Sequence, residues 1–303
     1  MKAWISHEEG LATLGEIPNG VTVEVYHGGD EYPSDPATVE FWSPPFLSGH
    51  KATRRLADMT GLKVVQLMSA GADVWEPLVP RSVILCDAMG VHTASTSEWT
   101  VAAILASLRG FDDFARAQHR REWRTARRDT LAGKRVLIVG AGDIGGAIAR
   151  RVEVFEAEPV LVARRARDGV HGVDELPELL PSADIVVMIV PLTDATRGMV
   201  DAAFLARMRD GALLVNAARG PVVDTDALVA EVAAGRLRAA LDVTDPEPLP
   251  EDHPLWTLEG VLITPHVGGA IRDVLHNMYA LVGDQLRRYA AGEPLRNIVS
   301  NGY

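Results

Sequence analysis

The run Val136-Leu137-Ile138-Val139-Gly140-Ala141-Gly142-Asp143-Ile144-Gly145 joins an apolar strand to three spaced glycines. Glycines with the spacing Gly-x-Gly-x-x-Gly between a strand and a helix are typical of a turn that binds a dinucleotide. The first glycine allows a tight turn, the second lets the backbone approach a pyrophosphate, and the third lets the helix pack on the strand. Free N–H groups at the start of the helix attract the phosphates. We therefore predict a cofactor-binding turn at Gly140, Gly142, Asp143, Ile144 and Gly145.

The segments around this turn alternate between strands and helices. Because the strands are apolar on both faces, we expect a parallel sheet that is covered by helices on both sides. The predicted strands are 135–139, 159–163, 184–190, 212–215, 239–243 and 261–264, and the predicted helices include 144–156, 202–208 and 225–234.

The first 90 or so residues show a second, smaller α/β pattern. Its predicted strands are 2–5, 21–25, 39–42, 63–68 and 82–86. Ser95 and Glu98 have capping-box spacing, which predicts the start of a long helix and a domain boundary near Thr93. A last helix at 270–291 is long enough to return to the first domain. We predict two Rossmann-like or flavodoxin-like domains, 1–94 with 271–303 and 95–270.

Composition narrows the class of protein. The chain has 303 residues, of which 47% are hydrophobic, so two domains can each bury a core. A net charge of −11 argues against a nucleic-acid partner, which needs clustered Lys and Arg. The lone Cys86 lies in an apolar run, and no apolar stretch approaches the ~20 residues that a membrane span needs. We therefore expect a cytoplasmic protein with no disulfide, no membrane segment and no metal site.

The strand at 159–163 indicates which dinucleotide binds. An NAD site carries Asp or Glu about 20 residues after the glycine turn, where it bonds the ribose 2′-hydroxyl. Here the strand is followed by Arg164-Arg165-Ala166-Arg167. Arginines can bind a 2′-phosphate with charge-assisted hydrogen bonds, so Arg164 and Arg165 favour NADP(H) over NAD(H). The alternative is a solvated arginine cluster at the end of a strand.

Three polar segments follow predicted strands, where an open α/β sheet places its ligands. Arg219, in Asn216–Gly220, is suited to binding a carboxylate and polarising a carbonyl, although it is equally suited to a structural salt bridge. Glu247 lies between two prolines, and His266 lies between Pro265 and two glycines. A carboxylate beside a histidine favours the protonated ring, which is the acid that reduction of a ketone requires. These residue types point to hydride transfer to a carbonyl compound.

These motifs together resemble those of the D-isomer-specific 2-hydroxyacid dehydrogenases. The likeness is dense from about Leu131 to Ala270 and looser before it. The motifs that carry it are Gly140–Gly145, Val190–Thr193, Asn216–Gly220, Asp242–Pro250, His253–Trp256 and Pro265–Gly269.

The resemblance implies a role for each matching residue. Arg219 matches the arginine that binds the substrate carboxylate and carbonyl, His266 the general acid/base, and Glu247 its carboxylate partner. Asp242 matches the acid near the nicotinamide carboxamide, and Pro191 and Ala218 match further cofactor contacts. In the first domain, the loop Ser69–Asp73 resembles one whose backbone binds the substrate carboxylate, through Ala70 and Gly71.

Two departures from the family pattern refine the expected activity. The arginines after the second strand resemble those of NADPH-dependent glyoxylate and hydroxypyruvate reductases. Asp143 stands where many members carry a basic residue. The resemblance therefore implies NADPH-dependent, reversible reduction of a small 2-oxo acid to the D-2-hydroxy acid, by a homodimer joined through the nucleotide domain.

Two alternatives stay open at this point. One is a family member that acts on a phosphonate-bearing oxo acid or on phosphite. Lys51, Arg54 and Arg55 could bind its second anionic group, although a solvated helix face explains them as well. The other is a regulator that senses a dinucleotide without turnover.

Overall fold

The computed structural model describes residues 1–46 and 48–299. Within them the chain forms twelve β-strands and nine α-helices. The strands are β1 (Lys2–Ile5), β2 (Thr22–Val25), β3 (Val39–Trp42), β4 (Val64–Gln66), β5 (Ile84–Cys86), β6 (Arg135–Val139), β7 (Glu158–Ala163), β8 (His171–Gly172), β9 (Ile185–Met188), β10 (Leu213–Asn216), β11 (Arg238–Leu241) and β12 (Val261–Ile263). The helices are α1 (Glu9–Thr13), α2 (Gly49–Thr53), α3 (Thr93–Arg109), α4 (Phe111–His119), α5 (Asp143–Val154), α6 (Leu176–Leu179), α7 (Ala202–Arg207), α8 (Thr225–Ala233) and α9 (Val274–Ala291).

These elements divide into two compact units. Unit 1 comprises Met1–His92 and Ile271–Tyr303, and unit 2 comprises Thr93–Ala270. Each unit holds one parallel sheet, so the predicted α/β class with two parallel sheets is confirmed.

The sheet of unit 1 has the strand order β2-β1-β3-β4-β5, which is the flavodoxin-like order. Successive side chains of the central strand β3 belong to different cores. Trp42 packs edge-on against Trp75, at a ring-centroid distance of 5.5 Å, whereas Phe41 belongs to the same buried cluster as Tyr279 of α9. The sheet is therefore covered on both faces.

The sheet of unit 2 has the order β12-β11-β10-β9-β6-β7-β8, and every neighbouring pair is parallel. The strand order reverses at β6, which pairs with β7 on one side and β9 on the other. In open α/β sheets, ligands bind beyond the carboxyl ends of the strands at such a reversal. The glycine turn lies at the carboxyl end of β6, at this position.

Alternation along the strands of unit 2 gives the sheet two buried faces. Ile138 and Val187 belong to the same core as side chains of α3 and α5. Leu137 and Val186 belong to a second core, which contains side chains of α7 and α8. Both faces are buried, which explains why the strand sequences are apolar throughout.

The structure corrects the start of the long helix α3. The sequence predicted its N-terminus at a capping box of Ser95 and Glu98, but the helix begins at Thr93 and Ser95 is buried inside its first turn. The hydroxyl of Ser97 donates to the carbonyl of Thr93 at 2.5 Å and that of Thr100 donates to the carbonyl of Thr96 at 2.8 Å. Such bonds to the preceding turn let hydroxyl residues lie within a helix, so the predicted capping box is wrong.

The basic segment 116–128 is helical at its start. Helix α4 continues to His119, and only the later residues lie outside helices and strands. All of residues 121–130 are exposed.

The structure also shows how far Cys86 is buried and whether any described helix could cross a membrane. Cys86 is fully buried, and burial raises the pKa of its thiol to about 12. In the part of the chain that the structure describes, no helix has the length and apolarity to cross a membrane.

Candidate active site

Two glycines of the turn after β6 are sterically required. Gly140 has φ +124°, and a Cβ atom there would lie 2.2 Å from the carbonyl oxygen of Ile189. A Cβ atom at Gly145 would lie 1.8 Å from the carbonyl oxygen of Gly140. Since neither position tolerates a side chain, these two glycines fix the turn against the neighbouring strand and the start of α5.

Gly142 lies in open space, and the turn around it fits a phosphate-bearing cofactor. No atom of a described residue lies within 4 Å of the position that its Cβ would occupy. Within residues 1–46 and 48–299, no acceptor faces the backbone N–H of Ala141 or Gly142. The adjacent N-terminus of α5 adds unpaired N–H groups and a partial positive charge. These observations match the requirements of a dinucleotide pyrophosphate.

Asp143 and Ile144, both predicted to bind cofactor, have partners within unit 2. The carboxylate of Asp143 accepts a hydrogen bond from the hydroxyl of Thr93, the first residue of α3. An acid in the first turn also suits the positive end of α5. Ile144 packs against the core that α3 and α5 share. Asp143 therefore ties the starts of two helices together, a role that its position in the turn did not suggest.

The loop after β7 carries three arginines with different surroundings. Arg164 and Arg165 are exposed, and neither guanidinium forms a hydrogen bond or ion pair with a described residue. Arg167 instead donates from Nη2 to the carbonyl oxygen of Ala141, at 2.8 Å. Mutual backbone hydrogen bonds with Val170, of 2.9 and 2.8 Å, hold Arg167 in a tight turn. Two free cations therefore lie on a loop that is tied to the glycine turn.

Sequence reasoning missed Arg167 as a site residue. Its partner is a backbone carbonyl, which leaves no trace in a motif. The run of three arginines within four residues was the one available signal, and it did not distinguish the two free side chains from the bound one.

Arg219 lies on the loop that follows β10. Asn216, which is buried, holds this loop by accepting from the N–H of Ala218 and donating to the carbonyl of Arg219, both at 3.0 Å. Gly220 allows close approach to the loop after β11, because a Cβ there would lie 1.8 Å from the carbonyl oxygen of Thr244. The guanidinium of Arg219 is half-buried and donates to the carbonyl of Ala218 at 2.8 Å.

His266 and Glu247 form a hydrogen-bonded pair. Nδ1 of His266 lies 2.7 Å from Oε1 of Glu247. The hydrogen bond from His266 is the largest cause that holds the pKa of Glu247 below its usual range, and the charges of His266 and Arg219 act in the same direction. The field of Arg219 therefore reaches the pair, and the structure brings the three predicted catalytic side chains into one electrostatic group.

Asp242 holds the loop that carries His266. This buried carboxylate accepts from the Thr264 hydroxyl at 2.6 Å and from the backbone N–H groups of Val267 and Gly268, both at 2.8 Å. The N–H of His266 donates to the Asp242 carbonyl at 2.7 Å. His266 itself has φ +55°, a left-handed conformation that is uncommon for residues other than glycine. The loop is thus held at several points while its histidine stays partly exposed.

Pro191 and Ala218, the remaining predicted cofactor contacts, follow β9 and β10. Pro191 is exposed, and its carbonyl accepts from the Thr196 hydroxyl at 2.6 Å. Ala218 is buried. Both follow the carboxyl ends of strands, as do Arg219, Glu247 and His266.

In unit 1, Ala70 and Gly71 lie in the loop that follows β4. The Ser69 hydroxyl donates to the carbonyl of Gly71 at 2.8 Å, which orders the loop. No acceptor among the described residues faces the N–H of Ala70 or Gly71. Both groups are therefore available as donors.

The basic residues weighed as a second anion site have other surroundings. Lys51 and Arg54 are exposed, whereas Arg55 pairs with Asp30 and lies over the ring of Tyr32. Nothing in these contacts favours a second anionic group on the substrate. In the described parts of the chain, no group of three or more His, Cys, Asp and Glu residues could hold a metal ion.

Comparison with known proteins places these features in a family. Residues 101–268 match the NAD binding domain of the D-isomer specific 2-hydroxyacid dehydrogenases. Glyoxylate/hydroxypyruvate reductase B from Salmonella schwarzengrund (strain CVM19633) is 36% identical over 259 residues, which cover 81% of this chain and 80% of the relative.

Two solved structures are similar over nearly the full length. A D-isomer specific 2-hydroxyacid dehydrogenase from Xanthobacter autotrophicus Py2, in complex with NADPH and MES, has a TM-score of 0.85 and 30% identity, with 100% of both chains covered. An NADPH-dependent glyoxylate/hydroxypyruvate reductase from Sinorhizobium meliloti, in complex with NADP and sulfate, has a TM-score of 0.85 and 26% identity, and covers 100% of this chain and 98% of its own. The chain therefore belongs to the D-isomer-specific 2-hydroxyacid dehydrogenases, which are NAD(P)-dependent oxidoreductases that act on CH–OH donors.

Proposed function

We propose that this enzyme reduces a small 2-oxo acid, of the glyoxylate or hydroxypyruvate kind, to the D-2-hydroxy acid with NADPH. The observation that carries the proposal is the 2.7 Å pair of His266 and Glu247 within the field of Arg219. Named relatives that reduce glyoxylate and hydroxypyruvate support the substrate class. In this proposal unit 2, predicted as 95–270, binds the dinucleotide, and unit 1, predicted as 1–94 with 271–303, contributes substrate contacts.

The proposed chemistry divides among three side chains. NADPH, when bound at the glycine turn, would supply the hydride that C2 of the substrate accepts. A carboxylate can only accept hydrogen bonds, so Glu247 receives the Nδ1–H of His266, and Nε2 is left to give a proton to the carbonyl oxygen. Arg219 binds the carboxylate and stabilises the developing negative charge on that oxygen. In unit 1, Ala70 and Gly71 are proposed to bind substrate through their backbone N–H groups, because no described acceptor faces them.

The cofactor site follows from the described donors. The turn at Gly140, Gly142 and Gly145 and the start of α5, at Asp143 and Ile144, bind the pyrophosphate. Arg164 and Arg165 bind the 2′-phosphate, because both are free cations on the loop after β7. Pro191, Ala218 and Asp242 line the rest of the site.

Oxidation of NADPH against a panel of 2-oxo acids, repeated with NADH, tests the activity. We expect turnover of glyoxylate or hydroxypyruvate, with a higher kcat/KM for NADPH. Replacing Arg164 and Arg165 by Ala should raise the KM for NADPH far more than that for NADH. Equal effects on both cofactors would contradict the 2′-phosphate assignment. Cofactor binding without turnover of any 2-oxo acid would favour a sensor, and turnover of phosphite alone would favour the other family activity.

We also propose that the enzyme is a cytoplasmic homodimer. The single, fully buried Cys86 suits a reducing compartment, and the exposed aromatic residue Trp123 suits an interface between subunits.

A further inference from the structure

Asp143 places a negative charge at the turn where the pyrophosphate of the cofactor is proposed to bind. It is the first residue of α5, directly after Gly142, and it is exposed. Among the residues that the structure describes, no lysine, arginine or histidine forms an ion pair with its carboxylate. A carboxylate and a phosphate repel each other at short range, so the direction in which this side chain points matters for binding.

The backbone N–H groups at the start of α5 can bind either a phosphate or this carboxylate. The first hydrogen bond of the helix runs from the N–H of Gly146 to the carbonyl of Gly142, at 2.9 Å. The N–H groups of Asp143, Ile144 and Gly145 precede it and have no partner inside the helix. Aspartate side chains readily accept hydrogen bonds from backbone N–H groups of nearby residues. The carboxylate of Asp143 is therefore a competitor for the donors that a phosphate needs.

The structure shows the carboxylate bound elsewhere. In the described chain it accepts no hydrogen bond from the backbone of α5, and Oδ2 of Asp143 instead accepts from the hydroxyl of Thr93. Thr93 is the first residue of α3 and belongs to unit 2, as Asp143 does. The carbonyl of Thr93 accepts from the Ser97 hydroxyl at 2.5 Å, which helps to order the start of this helix. The hydroxyl that binds Asp143 is therefore held at a defined position.

We propose that Thr93 is a positioning residue, whose hydroxyl holds the carboxylate of Asp143 away from the N–H groups of α5 and so keeps them open for the pyrophosphate. The inference rests on the proposed placement of the pyrophosphate at the glycine turn. NADPH and NADH share the pyrophosphate, so the effect of Thr93 is the same for both. This property separates Thr93 from Arg164 and Arg165, which are proposed to bind the 2′-phosphate alone.

Fluorescence titration with NADPH and with NADH tests the role of the hydroxyl. Thr93→Val keeps the shape of the side chain but removes its donor, and it should raise the dissociation constants of both cofactors by roughly 5-fold, the worth of one hydrogen bond. Thr93→Ser keeps the hydroxyl and should bind as the wild type does. Thr100→Val is the matched control, because it removes another hydroxyl of α3 that donates only to a backbone carbonyl, at 2.8 Å. It should leave both constants unchanged.

A double-mutant cycle distinguishes this role from a structural role at the start of α3. Asp143→Ala removes the competing carboxylate, so it should bind both cofactors at least as tightly as the wild type. In that background Thr93→Val should have no further effect, because no carboxylate is left for the hydroxyl to hold. If Thr93→Val has a lowered Tm, Thr93→Ala replaces it in both backgrounds.

Three results would overturn the proposal. They are an equal loss of affinity on Thr93→Val in both backgrounds, a loss for one cofactor alone, and weaker binding by Asp143→Ala.

Gly142→Ala separates a failure of this inference from a failure of the proposed cofactor site. If Gly142→Ala weakens binding and Thr93→Val does not, the pyrophosphate lies at the turn but the Thr93 hydroxyl does not keep the turn open. If neither variant changes the dissociation constants, the pyrophosphate lies elsewhere and both proposals are wrong. The titrations need no turnover, so their outcome is independent of which 2-oxo acid the enzyme reduces.

Discussion

Nδ1 of His266 lies 2.7 Å from Oε1 of Glu247, and this contact joins the loop after β12 to the loop after β11. In the proposed mechanism, the pair uses one nitrogen of the ring and leaves the other for the substrate, and proton transfer depends on this contact.

Removal of the ring tests the assignment of the acid. We expect His266→Ala to lower kcat by roughly 10²- to 10⁴-fold, the usual contribution of a general acid. The dissociation constant for NADPH, measured by fluorescence titration, should stay close to that of the wild type, because the glycine turn is untouched. Unchanged turnover would refute the role of His266.

The pair of Glu247 and His266 should make the stability of the protein depend on pH, with lower stability in acid. Its pKa is lowered by the hydrogen bond from His266, so the pair contributes stability above the usual Glu value of 4.5. That stability is lost as the pH falls through the depressed pKa. In Glu247→Gln we expect a lower kcat at neutral pH and a Tm below that of the wild type above pH 4.5. The difference in Tm should shrink in acid, and a constant difference across the range would contradict the ion pair.

Replacing Gly142 and Gly145 of the same turn by Ala should have different effects, one on cofactor binding and the other on thermal stability. A Cβ at Gly142 would meet no atom of the described residues within 4 Å, so Gly142→Ala should leave the Tm unchanged. It should raise the KM for NADPH, because the methyl group would occupy the space proposed for the phosphates. A Cβ at Gly145 collides with the Gly140 carbonyl, so Gly145→Ala should lower the Tm by several degrees. If Gly142→Ala bound NADPH as tightly as the wild type, the turn would not be the pyrophosphate site.

Removing the side chain of Arg167 should weaken the binding of NADPH and NADH equally. Its hydrogen bond to the Ala141 carbonyl fixes the peptide plane between Ala141 and Gly142, and therefore the direction of the Gly142 N–H. Loss of one charge-assisted bond at an exposed site is worth about 1 kcal/mol, so Arg167→Ala should raise the KM values for NADPH and NADH together by roughly 5-fold. Arg165→Ala is the matched control, with an effect on NADPH alone. A loss confined to NADPH in Arg167→Ala would place that side chain on the 2′-phosphate instead.

Replacing the buried Asp87 of unit 1 by Asn should stabilise the protein at neutral pH. Burial raises the pKa of its carboxyl from 3.8 to about 6. The folded state therefore binds this proton more tightly than the unfolded state, so stability is highest below pH 3.8 and falls as the pH rises to 6. Asp87→Asn keeps an oxygen that accepts from the Met89 N–H. Above pH 6 it should raise the free energy of unfolding by up to about 3 kcal/mol.

Chemical denaturation at pH 4 and pH 7.5 checks this expectation. The gain should appear at pH 7.5 and nearly vanish at pH 4. Asp168→Asn, at an exposed position, should change neither value. A gain of equal size at both pH values would show that charge burial is not its cause.

The strands and the fold class could be predicted from the sequence because burial on both faces leaves unbroken apolar runs. Strands β1, β3 and β6 were predicted with their observed ends, and the others were predicted within a few residues. Strand β8 was missed, since two residues, His171 and Gly172, carry no pattern. The start of α3 was misplaced because hydroxyl side chains that bond to the preceding turn look, in sequence, like a cap.

Motif spacing was enough to predict that Arg219, Glu247 and His266 come together, and their catalytic roles stay predictions. The sequence did not predict contacts that are long-range or that involve the backbone. The hydrogen bond between Asp143 and Thr93 joins residues 50 positions apart, and Arg167 binds a carbonyl that any residue would present.

The isolation of Arg164 and Arg165 has a consequence for how this enzyme can evolve. Neither guanidinium forms a hydrogen bond or ion pair with another described residue, so replacing either one breaks no such bond. If the two side chains bind the 2′-phosphate as proposed, cofactor preference can drift within a lineage through one or two codon changes, with no compensating change in the core. Arg167, three positions further on, is bound to the turn and is the position in this loop where such drift would be constrained.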